Sequence, residues 1–523
     1  MAGWSQPPME RRQVTLFSPT LDAMIGEDHP VRLFDEILSL CDWSAWEGHY
    51  CLVHGQPPIH PRIVAGVILY GLSRGMRSSR VLEYMLATNV DFMWLAEGRQ
   101  IDHSTICGFR TQFRDELKQL FANVFRIALR AGLARLETVA LDATRVKANS
   151  SRHSTATAAT LAERLAALDA QVERMLQEAE EADAKAPALF GQIPPNRLPR
   201  ELADLKRRQE RLGEALAAAK AKDTSRKTDK NGKKKPAAVP VADPESTVQP
   251  NKEGGFAPNF TPVVTTEDKG GFIADADVLA GGEDPHQAVE TIDRIEQTFG
   301  QKPGQMLADS AYDSGQTLAG LDHRKVEPFI PLSQRPGTPD NPARRDDPTQ
   351  PVAEADWDKL PRNVKSHKLD RSAFVYDGQA DCYYCPMGRV LAFWRIHRRS
   401  GRTGAVESRV YRCAGSSDCP LGAECIAGRT GRRCVARDNC EEHREAMDAR
   451  LASRRGRETY SRRKWIAETP FALLKARMGL RQFLLRGLEK VKIEWLWACT
   501  ALNLSKLVRN AATIRAHLAA IPA

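Results

Sequence analysis

Long hydrophobic runs are missing from this chain. The longest apolar stretch, Ile63 to Leu72, falls far short of the roughly 18–20 residues a helix needs to cross a bilayer. The opening MAGWSQPPMERRQ has no apolar run of the kind a secretory leader carries, so an integral membrane or secreted protein is not expected. An excess of one charge is also lacking. The chain has 76 Lys and Arg against 66 Asp and Glu, a formal net charge of +10 over 523 residues. Such a balance points to polyanions only if the basic residues cluster. Cysteine is sparse over most of the length. Cys41, Cys51, Cys107 and Cys499 are scattered, and the other seven of the eleven lie between Cys382 and Cys440. With no export signal, a disulfide framework is the weaker reading of that cluster and metal ligation the stronger.

With 42% hydrophobic residues there is ample material for a core, and the length allows about two to four domains. Residues 1–135 read as helical. His29-Pro30 opens a helix with Leu33, Ile37 and Leu40 in phase, and Pro61 opens another with Ile63, Val67 and Tyr70. The stretch Gly71 to Arg80 is a turn. Asp102 then starts a long helix predicted to run to Arg130, with Arg110 and Arg114 off its apolar stripe. Short helices with basic faces fit a helix-turn-helix DNA binder, and equally a plain bundle with solvated arginines.

Residues 137–143 form a short buried strand that ends on Asp142. Leu161, Leu165, Leu168, Val172 and Met175, and from the break IPPNRLPR onward Leu198, Leu202, Leu205, Leu212 and Leu216, keep a heptad rhythm. They predict an antiparallel helical hairpin or a coiled-coil pair. The basic stretch KAKDTSRKTDKNGKKKPAAVP has no aromatic and little apolar content, and reads as a disordered linker able to touch DNA phosphates. Strands resume at NFTPVVTTE and GGFIADADV. A helix capped at Asp284-Pro285, a strand ending on Asp309, a helix and the strand KVEPFIPL follow. The expected class is α/β, a mixed sheet with helical crossovers. Residues 336–380 read as a loop, the cysteine region follows, and the chain is helical from about Glu458, with breaks near Gly479 and Gly487.

Three carboxylates stand out by position. Asp142 and Asp309 each end a predicted strand, where active sites of open α/β sheets gather. Glu468 lies on a predicted helix with Lys464 four residues before it and Lys475 seven after, all on one face. A carboxylate between cations on one face suits metal and phosphate binding; it also fits three ordinary members of a pool of 66. Asp275, Asp277 and Asp313 are rival carboxylates, read as structural or solvent-facing. In the cysteine region, Cys382 and Cys385 form a Cys-x-x-Cys knuckle, followed by Cys413, Cys419 and Cys425. That is the layout of a structural zinc site, with five thiols for four positions. Unliganded thiols are the alternative.

The blocks ALDATRVKANSS (140–151), LADSAYDSG (307–315) and YSRRKWIAETPFALLKARMGLRQFLLRGLEKV (460–491) resemble the three signature blocks of bacterial insertion-sequence transposases of the DDE superfamily. DHSTICGFR and GMRSSR also resemble that family's N-terminal helical domain. The resemblance implies an RNase H-like mixed sheet, with Asp142, Asp309 and Glu468 as a triad for Mg²⁺ or Mn²⁺. It implies that Tyr460, Arg463, Lys464 and Lys475 contact transposon-end DNA. One departure leaves open which cation fills the family's Arg position, because four residues rather than three separate Arg463 from Glu468. It singles out Cys385, Cys413, Cys419 and Cys425 as the thiols matching similar transposases, with Cys382 spare or a replacement. Arg110 and Arg114, beside Ser104 and Thr105, become candidate phosphate or base contacts.

The implied layout is a helical DNA-binding domain at 1–135 and a catalytic domain from 136–150, 255–335 and 455–512. A helical hairpin and basic linker at 151–254 and a cysteine-rich insertion at 336–454 interrupt it. The implied activity is DNA transposition by metal-dependent strand cleavage and strand transfer, on double-stranded terminal repeats and target DNA, in a homo-oligomer when two ends are synapsed. The implied location is cytoplasmic, at the nucleoid when bound to DNA. A standalone metal-dependent nuclease and a non-catalytic DNA-binding protein remain as alternatives.

Overall fold

The computed structural model describes residues 20–51, 57–185, 200–226, 235–251, 254–282, 285–332, 340–363, 366–401, 404–415, 418–426 and 431–520. The opening MAGWSQPPMERRQ, the IPPNRLPR break up to Pro199, linker residues 227–234 and the cap Asp284 lie outside them.

The central sheet is built from β1 (Thr138–Ala143), β2 (Phe256–Glu267), β3 (Ile273–Leu279), β4 (Gln305–Leu307) and β5 (Glu327–Phe329). Their order is β3-β2-β1-β4-β5. The β3-β2 and β2-β1 pairs are antiparallel; β1-β4 and β4-β5 are parallel. Short strands Val146–Lys147 and Thr247–Pro250 pair with the N-terminal half of β2. The parallel pairs need crossovers, supplied by α1 (Gln287–Phe299) and α2 (Gly315–His323). Gly300 ends α1 in the left-handed region at φ 69°, the C-terminal stop read from the sequence.

Among the described residues of 30–130 there are seven helices. His29 and His60 each cap a helix whose first residue is proline. The long helix predicted from Asp102 is instead two, His103–Gln112 and Arg114–Arg130, parted at Phe113 (φ −108°, ψ 71°). The buried Phe113 ring packs on Trp46 and Phe109, so tertiary packing overrides a continuous helical pattern.

These helices do not stand apart from the sheet. α3 (Leu488–Arg509), the second-last helix of the chain, is buried over most of its circumference. It packs against Pro30–Ser39, Pro61–Ser73 and Arg114–Arg130 on one side and against β3 on the other. Its Trp497 Nε1 donates to the Arg110 carbonyl at 3.1 Å, and its Asn503 amide exchanges two hydrogen bonds with the Ile273 backbone. A single apolar core consequently runs from Ile25 to Ile514.

Two units project from this body. Ala158–Lys185 and Arg200–Ser225 form the expected antiparallel helical pair. They pack on each other through Leu161, Leu168, Leu212 and Ala219, with Val239 of a small two-stranded sheet beside them. The cysteine-rich unit has its own core under a five-stranded antiparallel sheet: β6 (Val375–Asp377), β7 (Cys382–Tyr384), β8 (Val390–Gly401), β9 (Gly404–Cys413) and β10 (Cys434–Asp438). The segment read as a loop also joins that core, through Ala343, Val352, Leu360, Leu369 and Phe374. Glu441–Ala452 then returns to the central body, where Met447 is fully buried.

Candidate active site

Strand alternation aims the first carboxylate. Val139 and Leu141 point to the main core, while Ala140 and Asp142 share the opposite face. On that face Ala140, Leu307 and Phe329 pack against Ile466 and Ala467 of α4 (Arg463–Ala472). The small apolar cluster thereby seats the helix that carries Glu468 over the end of β1. Asp309 follows β4, the parallel neighbour of β1, and caps a short 3₁₀ turn by accepting from Ala311 N. Asp142, Asp309 and Glu468, far apart in the chain, line one cleft of about 820 Å³.

The cleft is strongly charged. Besides the three carboxylates it is lined by Arg145, Lys147, Arg463, Lys475 and Arg481. Arg463 Nη2 lies 3.0 Å from Asp142 Oδ1 and 3.8 Å from Asp309 Oδ2. Burial pushes the Asp142 carboxyl above the usual carboxylate range; Arg463 pulls it down, and the negative charges of Asp309 and Glu468 push it up again. Three carboxylates that repel one another around a half-buried strand end form a hard-oxygen set suited to a divalent cation. Among the described residues no group of three or more His, Cys, Asp or Glu is drawn tightly enough to hold a metal ion. At the carboxylates, a guanidinium stands between the two aspartates instead.

The other residues singled out from sequence separate into two sets. Arg463 faces the carboxylates, and Tyr460 packs at the edge of the cluster under α4, where burial raises its phenol. Lys464 is exposed and does not line the cleft. Lys475 reaches the cleft by a route the helical-wheel argument did not contain. Pro470 interrupts the amide donors of α4, and a π-helical turn, Leu473–Arg477, follows. From that turn Lys475 Nζ donates to Thr144 Oγ1 at 2.6 Å and to the Arg145 carbonyl at 2.9 Å, tying the helix to the loop after β1.

Arg110 and Arg114 differ from their expected solvent-facing role. Arg110 is half-buried and donates to the Arg77 carbonyl, and Arg114 pairs with Glu489 at the start of α3. Arg114 thus ties the N-terminal helices to α3, while the Arg110 guanidinium bonds within the N-terminal helices. The helix N-terminus beside them is also filled, because the Asp102 carboxylate accepts from the backbone N–H and hydroxyl groups of Ser104 and Thr105. Asp275 pairs with Arg294 and Asp277 with Lys492, as structural carboxylates.

Sequence reasoning missed Arg145, Lys147 and Arg481. The first two were legible in ATRVK, directly after Asp142. Arg481 was not, because it arrives through a tertiary splice: Lys147 N donates to the Arg481 carbonyl and Phe483 N to the Lys147 carbonyl. Arg77 anchors the same splice, donating to the carbonyls of Gly479 and Gln482 at 2.7 and 2.6 Å and to Glu494 at 2.7 Å.

In the cysteine-rich unit, Cys385, Cys413, Cys419 and Cys425 line one small cavity of about 20 Å³, with Arg433 beside Cys425. Burial raises the Cys385 thiol and pushes Cys425 up to about 11. Cys382, Cys434 and Cys440 are not among the residues lining it.

Two family models match the chain. One, described as transposase DDE domain, covers residues 384–508, including the four clustered thiols and Glu468 but not Asp142 or Asp309. The other, described as transposase domain (DUF772), covers residues 19–112, the N-terminal helices up to Gln112. No curated protein matches the chain. The chain thus carries a transposase DDE-domain match that ends in α3 and a transposase-domain match whose helices pack around that same helix.

Proposed function

We propose that this protein is a DNA transposase that cleaves DNA at the ends of its element and joins the freed 3′-OH to target DNA, on an RNase H-like catalytic domain. The observation that carries the reading is the meeting of Asp142, Asp309 and Glu468 in one cation-lined cleft. The strand order 3-2-1-4-5, with strands 1, 4 and 5 parallel, supports the fold assignment.

Asp142, Asp309 and Glu468 would hold Mg²⁺ or Mn²⁺, which when bound polarises the phosphodiester and activates the attacking oxygen. The chain's own part is positioning and charge. Arg145, Lys147, Lys475 and Arg481 present cations along the cleft, where they draw in a DNA backbone and offset the negative charge that builds on phosphorus oxygens. The Lys475 clip to Thr144 holds the loop after Asp142 against the Glu468 helix, so the carboxylates keep one geometry. Arg463 lines the cleft between the two aspartates, beside the scissile phosphate position this reading implies, and Tyr460 packs in the apolar cluster under α4.

The four thiols that line one cavity are the donor type of a soft tetrahedral ion, and a structural Zn²⁺ would draw Cys385, Cys413, Cys419 and Cys425 together and leave no open position for catalysis. Synapsis of two ends would require at least two copies. The test of the catalytic reading is a strand-cleavage assay on end DNA with Mg²⁺. Cleavage by the wild type and its loss in Asp309→Asn are expected. Wild-type DNA binding without cleavage would instead return the chain to a non-catalytic DNA-binding role, and cutting of any duplex without joining would make it a nuclease.

A further inference from the structure

The longest strands of the cysteine-rich unit outrun their neighbours. β7 pairs with β8 only at Val390 and Leu391, and β10 pairs with β9 only from Ser408 to Arg412. The remainder of β8 and β9 pair with each other alone, as a two-stranded ribbon with a bulge between Phe393 and Arg395. Phe393, Trp394 and Ile396 are 43%, 44% and 49% exposed there. Large apolar side chains on a surface are usually scattered singly, and three adjoining ones mark a contact surface. From Arg389 to Arg412 the sequence has seven arginines and one acid, Glu407.

The arginines are arranged on the rings. The guanidinium carbons of Arg395 and Arg412 sit 4.2 and 4.7 Å from the Trp394 ring centre, and that of Arg409 sits 4.4 Å from Phe393. Arg398 pairs with Glu407 and Arg409 with Asp381. Among the described residues, neither Arg395 nor Arg412 has a carboxylate partner. A guanidinium stacked on an indole loses little further freedom when it binds, and its N–H rim is left to grip phosphate in a planar fork. An antiparallel ribbon of two strands also matches the width of a DNA major groove.

We propose that the ribbon is a second DNA-docking surface, remote in sequence from the carboxylate cleft, in which Arg395 and Arg412, layered on Trp394, hold backbone phosphates of duplex DNA. It rests on the reading of this chain as a protein that acts on DNA. Arginines also guard bare strand edges against aggregation, which is the competing explanation of their placement.

The test uses the full chain and a fluorescein-labelled duplex of about 40 base pairs, with binding read by anisotropy over a salt series. Arg395→Glu with Arg412→Glu should weaken binding at least about tenfold and flatten the salt dependence by about two counterions. Arg395→Lys with Arg412→Lys should keep the slope, and Trp394→Ala should weaken binding several-fold with every charge retained. Wild-type affinity and slope in the glutamate pair would overturn the proposal, and aggregation with unchanged binding would assign the arginines to edge protection. If the glutamate pair fails to fold, unchanged affinity in Trp394→Ala is the overturning result. The catalytic reading is judged separately on the same wild-type protein: binding that depends on the ribbon without cleavage in Mg²⁺ sinks that reading and leaves this one standing.

Discussion

Arg463 Nη2 stands 3.0 Å from Asp142 Oδ1, so a cation carried by α4 neutralises the carboxylate at the end of β1. The same nitrogen lies 3.8 Å from Asp309. Both ends of the Arg463–Asp142 pair are largely shielded from solvent, with side-chain exposures of 14%. A buried pair of this kind is costly to break from one side, because the remaining charge is left without a partner.

A guanidinium and a divalent ion therefore compete for the same two aspartates. Arg463→Ala is expected to destabilise the protein by on the order of 3 kcal/mol without divalent ions. Mg²⁺ should then restore more of the loss than it adds to the wild type. Thermal unfolding with and without MgCl₂ measures this. An equal Mg²⁺ response in both proteins would place the ion away from Asp142 and Asp309.

Lys475 and Glu468 should separate binding from chemistry. Glu468→Gln is expected to lower cleavage of end DNA by more than about 100-fold, beyond what loss of an outer-shell partner costs a metal site, while duplex affinity is kept. Lys475→Ala should weaken duplex binding and flatten its salt dependence by up to about one counterion. It should also lower stability modestly, since its ammonium bridges Thr144 and the Arg145 carbonyl. Wild-type cleavage by both variants would remove the cleft from the reaction.

The cavity thiols make a prediction about metal content. Purified protein should carry about one zinc per chain, and chelation should free Cys385, Cys413, Cys419 and Cys425 to thiol reagents and loosen the cysteine-rich unit. Cys382→Ser should leave the zinc content unchanged. Zinc-free protein with a fully ordered cysteine-rich sheet would make the cluster a plain apolar core.

Asp243 supplies a pH dependence. It accepts from Gly487 N just ahead of α3, and burial pushes its carboxyl up to about 6. The folded state thus binds a proton more tightly than the unfolded chain, whose value is 3.8. Its contribution to stability is complete below about pH 4 and is lost as pH rises through about 6. Asp243→Asn should match the wild type near pH 4 and melt higher above pH 6. A constant difference in melting temperature across that range would show that Asp243 does not titrate on folding.

Much of this molecule was legible locally. The strand ending on Asp142 and the alternation of β and α elements through Phe329 follow from turn residues and hydrophobic period, signals held within a few residues of each position. So does the pairing of the two leucine-rich helices. The spacing of the thiols marked five candidates for one site, and the resemblance singled out the four that line the cavity. The break at Phe113, the internal roles of Arg110 and Arg114, the π-helical turn that delivers Lys475 and the arrival of Arg481 beside Lys147 were not. Each depends on a partner outside its own element, from tens to hundreds of residues away, or on a ring packed in the core, and no local pattern records which partner a side chain meets. The merging of the N-terminal helices and the sheet into one core is of the same kind. An all-round apolar helix such as Leu488–Arg509 announces that it is buried, but the elements that bury it are chosen by the shape of the assembled chain.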